Sequence, residues 1–501
     1  MLSDFLSGAG VLIAAGAAAA SILLPAGRTR SALMLVALVL FPILILGDQW
    51  HSHRIVELRH HGAKAALGTV VGAVLVAALA WTFRRWPVLL PLAIIGLLPF
   101  RIPLESGGES ANLLIPLYVV IAAGVLSQVL AAGRGAPASS SSVWLPRALA
   151  AFVVLYALQA LYSEDFSKGL QEVCFFLVPF TLAYGLLREV EWDRRLLTWV
   201  LTLIAVEAII FVLIGSVEYA SRSLFWNEAV IRSNEFHTYF RVNSMFWDPN
   251  IYGRYLALVL VVVTTALLWV EQRRNFWLLA GTILVLWVGL AQTFSQSSFV
   301  ALLAGLAMLA ALRWSWRWTL AVAIVGVIGG ALVILLVGGK SITPDRLNVD
   351  FSGRGHLISG GAELFSERPV WGYGSGSFQH AYSAHRAKEK APVTISHTEP
   401  VTVAAEQGLV GLVVYVGLIV VALWTMGAGL WARGPDRRPT LFDAARAALL
   451  AAFVALLVHT MAYAGFLQDP ITYVLLAMGA SLAAASRGPS RLLACRDTCG
   501  D

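Results

Sequence analysis

Hydrophobic residues along this chain occur in long continuous runs, separated by short polar segments. Most runs contain about 17–25 apolar residues, which as helix would cross roughly 30 Å of hydrocarbon. The alternating pattern of about ten residues that marks a membrane β-strand is absent from the sequence. The pattern predicts about fifteen spanning helices, near 8–26, 31–47, 64–83, 87–100, 112–132, 146–162, 170–187, 196–215, 250–269, 275–291, 296–312, 318–338, 404–431, 442–464 and 469–486. The fourth is short and carries Pro91 and Pro99, so a re-entrant or tilted helix is the alternative there.

Composition supports the same fold class. Hydrophobic residues make up 58% of the chain and charged residues 13%, whereas a soluble domain is about half apolar and about a quarter charged. We therefore expect an all-α polytopic membrane protein with about 12–15 transmembrane helices and a large external loop that contains short helices. The net charge of +7 follows from the membrane topology and does not indicate nucleic-acid binding.

Basic residues in the short loops predict the orientation in the membrane. Cytoplasmic loops carry an excess of Lys and Arg, and the arginines of the short loops fall on one side of the predicted helices. They are Arg28, Arg30, Arg84, Arg85, Arg134, Arg147, Arg188, Arg194, Arg195, Arg273, Arg274, Arg313, Arg317, Arg433, Arg437 and Arg438, together with Arg487, Arg491 and Arg496 of the tail. The opposite, external side carries two long loops, 216–249 and 339–403.

The chain accordingly divides into five predicted parts. They are N-terminal transmembrane helices (1–215), central transmembrane helices (216–338) with the external loop 216–249, a large external loop (339–403) where we expect catalysis, C-terminal transmembrane helices (404–486) and a cytoplasmic tail (487–501). The external histidines His51, His53, His60 and His61 are interpreted as a solvated loop, with metal binding as the alternative. We expect neither a cofactor nor a metal site.

The large external loop contains the strongest candidate for proton transfer. His397 lies near its end, just before an apolar helix that begins with Glu406, Gly408 and Gly411. A histidine ordinarily titrates close to neutral pH, so it can accept a proton from a hydroxyl group. The alternative is an ordinary hydrogen-bonded loop histidine. The Gly-rich stretch 371–376 lacks the ending of a nucleotide-binding loop and predicts a tight turn.

Several arginines near the external ends of helices are candidates for anion binding. Arg241 and Arg354 have side chains that can hold phosphate oxygens in bidentate fashion, and Arg101 could add a third contact. For each, the alternative is an anchor to lipid headgroups or a carboxylate partner. Asp248 and Asn250 mark a helix start, where either could cap the helix and Asn250 could contact a ligand.

Four motifs in the order found here resemble the bacterial O-antigen ligase and Wzy-type O-antigen polymerase superfamily, over about residues 240–425. They are Arg241 with Phe246-x-Asp-Pro-Asn250, Thr293-Phe-Ser-Gln-Ser-Ser298, Arg354 followed by Ala362-Glu-Leu-Phe365 and Pro369-x-x-Gly372-x-Gly374-x-Gly-x-Phe378, and His397 with Glu406-x-Gly408-x-x-Gly411. The chain departs from the family pattern at Thr398, where Asn is frequent, and at Gln296, where Arg is usual.

The resemblance implies a GT-C-like, multi-span glycosyltransferase of the bacterial inner membrane with its active site facing the periplasm. Such an enzyme transfers a glycan from a polyprenyl-diphosphate carrier to an acceptor hydroxyl, with inversion and without a metal. By the same resemblance, His397 would be the base, and Arg241 and Arg354 would hold the diphosphate. The implied substrate-binding set is Arg241, Arg354, Asn250, Glu406 and Arg101.

The implied partners are a polyprenyl-diphosphate-linked glycan donor, a glycan, lipid or protein acceptor, and membrane lipids. Ligase and polymerase share this chemistry, and the sequence leaves them open. A polytopic glycolipid transporter or flippase is the alternative function. It would need a polar path across the bilayer, for which Glu207, Cys174 and Gln159 provide few groups. A non-catalytic assembly scaffold is a third hypothesis.

Overall fold

The predicted all-α polytopic membrane fold is confirmed by the structure. This computed structural model describes residues 2–52, 55–56, 60–106, 109–131, 143–225, 228–236, 239–314, 317, 354–385, 396–430 and 440–485. Among these residues, ten helices are long and apolar enough to cross a membrane, and three shorter apolar helices accompany them.

The elements follow one another as a nearly all-helical chain. The helices are α1 (Leu2–Leu23), α2 (Arg28–Asp48), α3 (Gly62–Arg85), α4 (Leu89–Gly96), α5 (Ile115–Ala131), α6 (Trp144–Ala160), α7 (Phe166–Glu172), α8 (Val178–Leu187), α9 (Arg194–Ser221), α10 (Glu228–Phe236), α11 (Pro249–Trp269), α12 (Arg273–Thr293), α13 (Gln296–Arg313), α14 (Arg354–Glu367), α15 (Phe378–His385), α16 (Glu399–Gly427), α17 (Leu441–Thr460) and α18 (Pro470–Ala485). A π-helical turn, Val173–Leu177, joins α7 to α8, and the antiparallel strands β1 (Ile102–Ser106) and β2 (Glu109–Leu113) form a hairpin with Ile102 opposite Leu113.

Most predicted boundaries shift by a few residues, and three differences change the assignment of the spans and loops near the site. The predicted span 87–100 contains only the eight residues of α4, which is too short to cross a bilayer. Helix α16 begins at Glu399 and not at 404, so the external loop ends five residues earlier. Helix α9 continues to Ser221, inside the predicted loop 216–249. The predicted span 318–338 lies outside the described residues.

Small residues let the central helices approach closely. Helix α17 packs against both α11 and α13, and its sequence is rich in alanine. On α13, a Cβ added to Gly305 would lie 2.6 Å from Val261 and 3.2 Å from the carbonyl oxygen of Ala451. Close contact of small residues is the usual basis of helix association in membranes. It brings the ends of α11, α13 and α17 together at the site described below.

Helix α16 is kinked at Gly408, and the large loop accepts hydrogen bonds from the amides beyond the kink. Gly408 has φ 63° inside the helix, and the kink leaves amide groups without partners in their own helix. The amide of Leu409 donates instead to the carbonyl of Pro369 at 2.8 Å, and the amide of Val410 donates to that of Val370 at 3.3 Å. The loop therefore supplies hydrogen bonds that the helix itself has lost.

The Gly-rich stretch 371–376 forms the tight turn that its sequence predicts. Gly372, Gly374 and Gly376 all have positive φ. In this turn the amide of Tyr373 donates to the carbonyl of Ala405 at 3.1 Å. A side chain at Gly374 would collide with the backbone of Ser163, in the turn after α6. The loop is thus seated between α16 and the turn after α6.

Candidate active site

Arg241 is held by the end of α12 and the start of α11. Its Nε donates to the carbonyl oxygen of Thr293 at 2.9 Å, and its Nη2 donates to Oδ1 of Asn250 at 3.0 Å. Both acceptors are uncharged oxygens. The backbone of Arg241 is fixed as well, because its amide donates to Oδ1 of Asn234 and its carbonyl accepts from Nδ2 of the same side chain. The position and the direction of this guanidinium are therefore both set.

The start of α11 explains why the Asn250 side chain is available for this contact. Asp248 is the N-cap residue, and its carboxylate accepts from the amide of Asn250 at 2.6 Å. Pro249 occupies the first turn, where a missing amide hydrogen costs nothing. Because Asp248 provides the cap, the carboxamide of Asn250 turns to Arg241 and to Ser295, whose hydroxyl donates to Oδ1 at 2.9 Å.

A row of hydroxyl groups links Asn250 to a buried histidine. The hydroxyls of Ser295 and Ser298 lie 2.8 Å apart at the start of α13. Ser297 and Ser298 each place a hydroxyl 3.3 Å from Nε2 of His459. His459 lies near the end of α17 and is fully buried. Sequence reasoning did not select His459, although an ionisable residue within an apolar run is itself a signal of function.

His397 is presented by a constrained turn just before α16. Its φ of 60° is uncommon for a residue other than glycine. Ser396 closes the turn, since its hydroxyl accepts from the amide of Thr398 and donates to the carbonyl of the same residue. Oγ1 of Thr398 donates to the carbonyl of Met461 at 3.1 Å. These bonds fasten the turn that carries His397 to the end of α17.

Tyr463 lies between the two histidines. Its ring centroid is 6.1 Å from that of His397 and 5.9 Å from that of His459. The segment that carries Tyr463 is fixed by Glu399, whose carboxylate accepts from the amide of Gly465 at 2.6 Å. A continuous set of contacts therefore runs from His397 through Tyr463 and His459 to the serine turn, which consists of residues 295–298 and bonds to Asn250.

A group of charged residues, Arg101, Arg254 and Asp469, lies near Tyr463. Arg254 and Asp469 form a buried ion pair at 2.7 Å. Burial lowers the pKa of the partly buried Arg101 guanidinium; the negative charge of Asp469 opposes this change, and the positive charge of Arg254 adds to it. Tyr463 is also within electrostatic range of Arg101. Arg101, Arg254 and Asp469 together carry one net positive charge, and the carboxylate of Glu399 is also within electrostatic range of Arg254.

The structure brings together four of the residues selected from sequence. Arg241 and Asn250 are in contact, the ring of His397 lies beside that of Tyr463, and Arg101 is within electrostatic range of Tyr463. Arg354 is the first residue of α14, which packs against α16; the side chain of Arg354 lies outside the described part of the structure.

Glu406 has contacts of a different kind. Its two carboxylate oxygens accept from the amides of Gly376 and Phe378, at 2.9 and 3.1 Å. The geometry therefore gives Glu406 an anchoring contact with the Gly-rich turn. Its contact with substrate stays a prediction.

The comparison with known families agrees with the motifs. Residues 281–416 match the protein-family model described as O-antigen ligase. The resemblance to the O-antigen ligase and polymerase superfamily is thereby confirmed over that range. No curated protein matches the chain.

The O-antigen ligase match supports a ligase-like or polymerase-like membrane glycan transferase. The matched range contains the serine turn, Glu406 and His397. Arg241, Asn250 and His459 lie outside it and are joined to it by the contacts described above. The candidate site is therefore larger than the matched segment.

Proposed function

We propose that this protein transfers a glycan from a polyprenyl-diphosphate carrier to an acceptor hydroxyl at the external membrane face, with inversion at the transferred sugar. The observation that carries the proposal is the convergence of His397 with the Arg241–Asn250 pair around His459 and Tyr463. This convergence supports the proposal, because an imidazole and a guanidinium group lie at the same end of the helix bundle. The match to the O-antigen ligase family supports the same reaction class.

Arg241 would stabilise the negative charge that develops on the leaving diphosphate. Its guanidinium is oriented in advance by Thr293 and Asn250. Groups fixed in this way lower the barrier more than groups that must reorient during the reaction. Arg354 would be the second diphosphate contact, as the family motif implies. Arg101, next to the Arg254–Asp469 pair, would add further positive charge.

His397 would act as the base toward the acceptor. As it removes the hydroxyl proton, the acceptor oxygen attacks the anomeric carbon on the face opposite the diphosphate. The bond between the anomeric carbon and the diphosphate oxygen breaks, and its electron pair leaves with the polyprenyl diphosphate. The products are the new glycoside, the free polyprenyl diphosphate and a proton on His397.

An apolar cleft close to Arg101 and Arg254 supports a donor that is attached to a lipid. Its lining includes Leu98, Tyr255 and Ile471, which are close in sequence to Arg101, Arg254 and Asp469 respectively. From there the cleft continues between α9, α11, α17 and α18 as far as Leu441, at the start of α17. A polyprenyl chain in this cleft would place its diphosphate near Arg101 and Arg254.

Glycan analysis of cells that lack the gene tests this proposal. Accumulated single repeats on the lipid carrier would identify a polymerase, and accumulated long lipid-linked chains without finished conjugate would identify a ligase. Wild-type protein should restore the normal profile, and the His397→Ala variant should not. An unchanged profile in the deletion strain would contradict the proposal. Single repeats confined to the cytoplasmic leaflet would indicate the transporter instead.

A further inference from the structure

Two aromatic rings form an exposed stack beside Arg241. The centroids of Tyr239 and Phe294 are 4.9 Å apart with an angle of 26° between the rings. Each residue is 41% exposed. Tyr239 precedes Arg241 by two residues, and Phe294 follows Thr293, whose carbonyl accepts from Arg241. The aromatic pair therefore adjoins the residue that would hold the diphosphate.

The backbone at Phe294 is fixed in an unfavourable conformation. Phe294 has φ 48° and ψ 33° at the end of α12, a left-handed geometry that bulky residues rarely adopt. Its neighbours hold it there, since the carbonyl of Thr293 accepts from Arg241 and the hydroxyl of Ser295 donates to Asn250. Strained conformations of this kind concentrate at ligand-binding sites. This strained residue directly follows Thr293, whose carbonyl accepts from the Arg241 guanidinium, and its ring is exposed.

An interfacial aromatic belt explains this pair poorly. Belt positions favour Trp and Tyr, whose polar tips reach the headgroups, and phenylalanine has no such tip. The exposed tryptophans Trp144 and Trp199 show another arrangement, in which each lies under a neighbouring arginine, Arg147 or Arg195. Tyr239 and Phe294 instead stack on each other, across a turn whose backbone bonds to Arg241.

We propose that Tyr239 and Phe294 form a stacking platform for the sugar ring that is bonded directly to the donor's diphosphate. This inference rests on the proposed function. The faces of aromatic rings carry negative potential and attract the weakly positive C–H groups on the apolar face of a pyranose. Because the first sugar is attached to the phosphate held by Arg241, it lies next to this platform. The ligand class is a hexopyranosyl diphosphate with an apolar C–H face.

Binding measurements on the purified protein in nanodiscs test the platform. The two probes are polyprenyl diphosphate alone and the same lipid with one hexose attached. Tyr239→Leu and Phe294→Leu should each weaken binding of the hexose-bearing lipid roughly tenfold, as expected for a lost aromatic contact. Binding of the lipid without sugar should remain nearly unchanged. Phe294→Tyr, which keeps an aromatic face, should retain the wild-type preference.

Phe276→Leu is the matched control, because Phe276 is also 41% exposed but lies at the opposite end of α12. It should bind both probes as wild type does. Equal losses for both probes in Phe294→Leu would overturn the platform and indicate a structural effect on Arg241. Unchanged binding of both probes in the Tyr239 and Phe294 variants would also overturn it. Wild-type protein that binds neither probe would overturn the proposed function and the platform together.

Discussion

Nη2 of Arg241 donates to Oδ1 of Asn250 at 3.0 Å. The two lie nine positions apart in sequence, and the cap formed by Asp248 leaves the Asn250 side chain available for the contact. The same Oδ1 accepts from Ser295, so one carboxamide oxygen joins the loop before α11 to the start of α13. The predictions for Arg241 and Asn250 follow from this arrangement.

Replacing Arg241 with lysine should impair glycan transfer strongly. Lysine keeps the positive charge but lacks the planar fork that reaches Thr293, Asn250 and a phosphate group together. We expect the transfer rate to fall about 100-fold, as when a preorganised charge-stabilising donor is lost. Arg232→Lys, on the exposed face of α10, is the control and should retain the wild-type rate. Rates for Arg241→Lys within twofold of wild type would exclude this role.

Replacing Asn250 with aspartate should distinguish the effect of the hydrogen bonds of Asn250 from the effect of the charge beside Arg241. The aspartate keeps an oxygen for Arg241 and Ser295, but its negative charge offsets the guanidinium and repels a diphosphate. We expect a folded protein whose affinity for polyprenyl diphosphate is about tenfold weaker, a difference of about 1.4 kcal/mol. Titration of the lipid into nanodiscs measures this. Affinity equal to or tighter than wild type would show that the diphosphate does not lie beside Arg241.

The kink in α16 provides a prediction about stability. A Cβ at Gly408 would lie 2.3 Å from the carbonyl oxygen of Val370, and its φ of 63° disfavours any side chain. Gly408→Ala should lower the free energy of unfolding by about 1–3 kcal/mol from backbone strain alone. Gly417→Ala in the same helix, with open space around it, should be neutral or slightly stabilising. If the two variants unfold at the same temperature, the left-handed conformation at Gly408 that produces the kink would be wrong.

Glu406→Gln should loosen the large loop without unfolding the membrane helices. The glutamine keeps one acceptor oxygen, so one of the amides of Gly376 and Phe378 loses its partner, at a cost of about 1–3 kcal/mol. Hydrogen exchange should become faster at residues 374–378, while α11 and α17 keep their protection. The exposed Glu363→Gln on α14 is the control. Unchanged exchange in Glu406→Gln would show that the carboxylate does not anchor the turn.

Much of the fold could be predicted from hydrophobic patterning, because helices that cross lipid must be long and apolar. The apolar run predicts the start of α16 too late, because Glu399 and Thr402 interrupt it. Pro400, which suits a first helical turn, was the signal for the earlier start. For α4, the short apolar run with Pro91 and Pro99 is the sequence signal for a helix that does not cross the bilayer.

The site was only partly predictable, for a physical reason. Arg241 and His397 are found from local motifs, but Tyr463 gains its place because the ends of α16 and α17 meet. The contact between Glu399 and Gly465 joins residues 66 positions apart. The resemblance implies Glu406 as a substrate contact, whereas its bonds to Gly376 and Phe378 depend on how the loop folds back. Such contacts arise from packing and leave no local pattern.

Transfer by the purified protein in liposomes tests the central claim about His397 most directly. The assay follows release of polyprenyl diphosphate and labelling of the acceptor from a lipid-linked glycan. We predict that His397→Ala abolishes both while still binding the donor, and that His380→Ala, an exposed histidine on α15, behaves as wild type. Full transfer activity in His397→Ala would contradict the role of this histidine as the base.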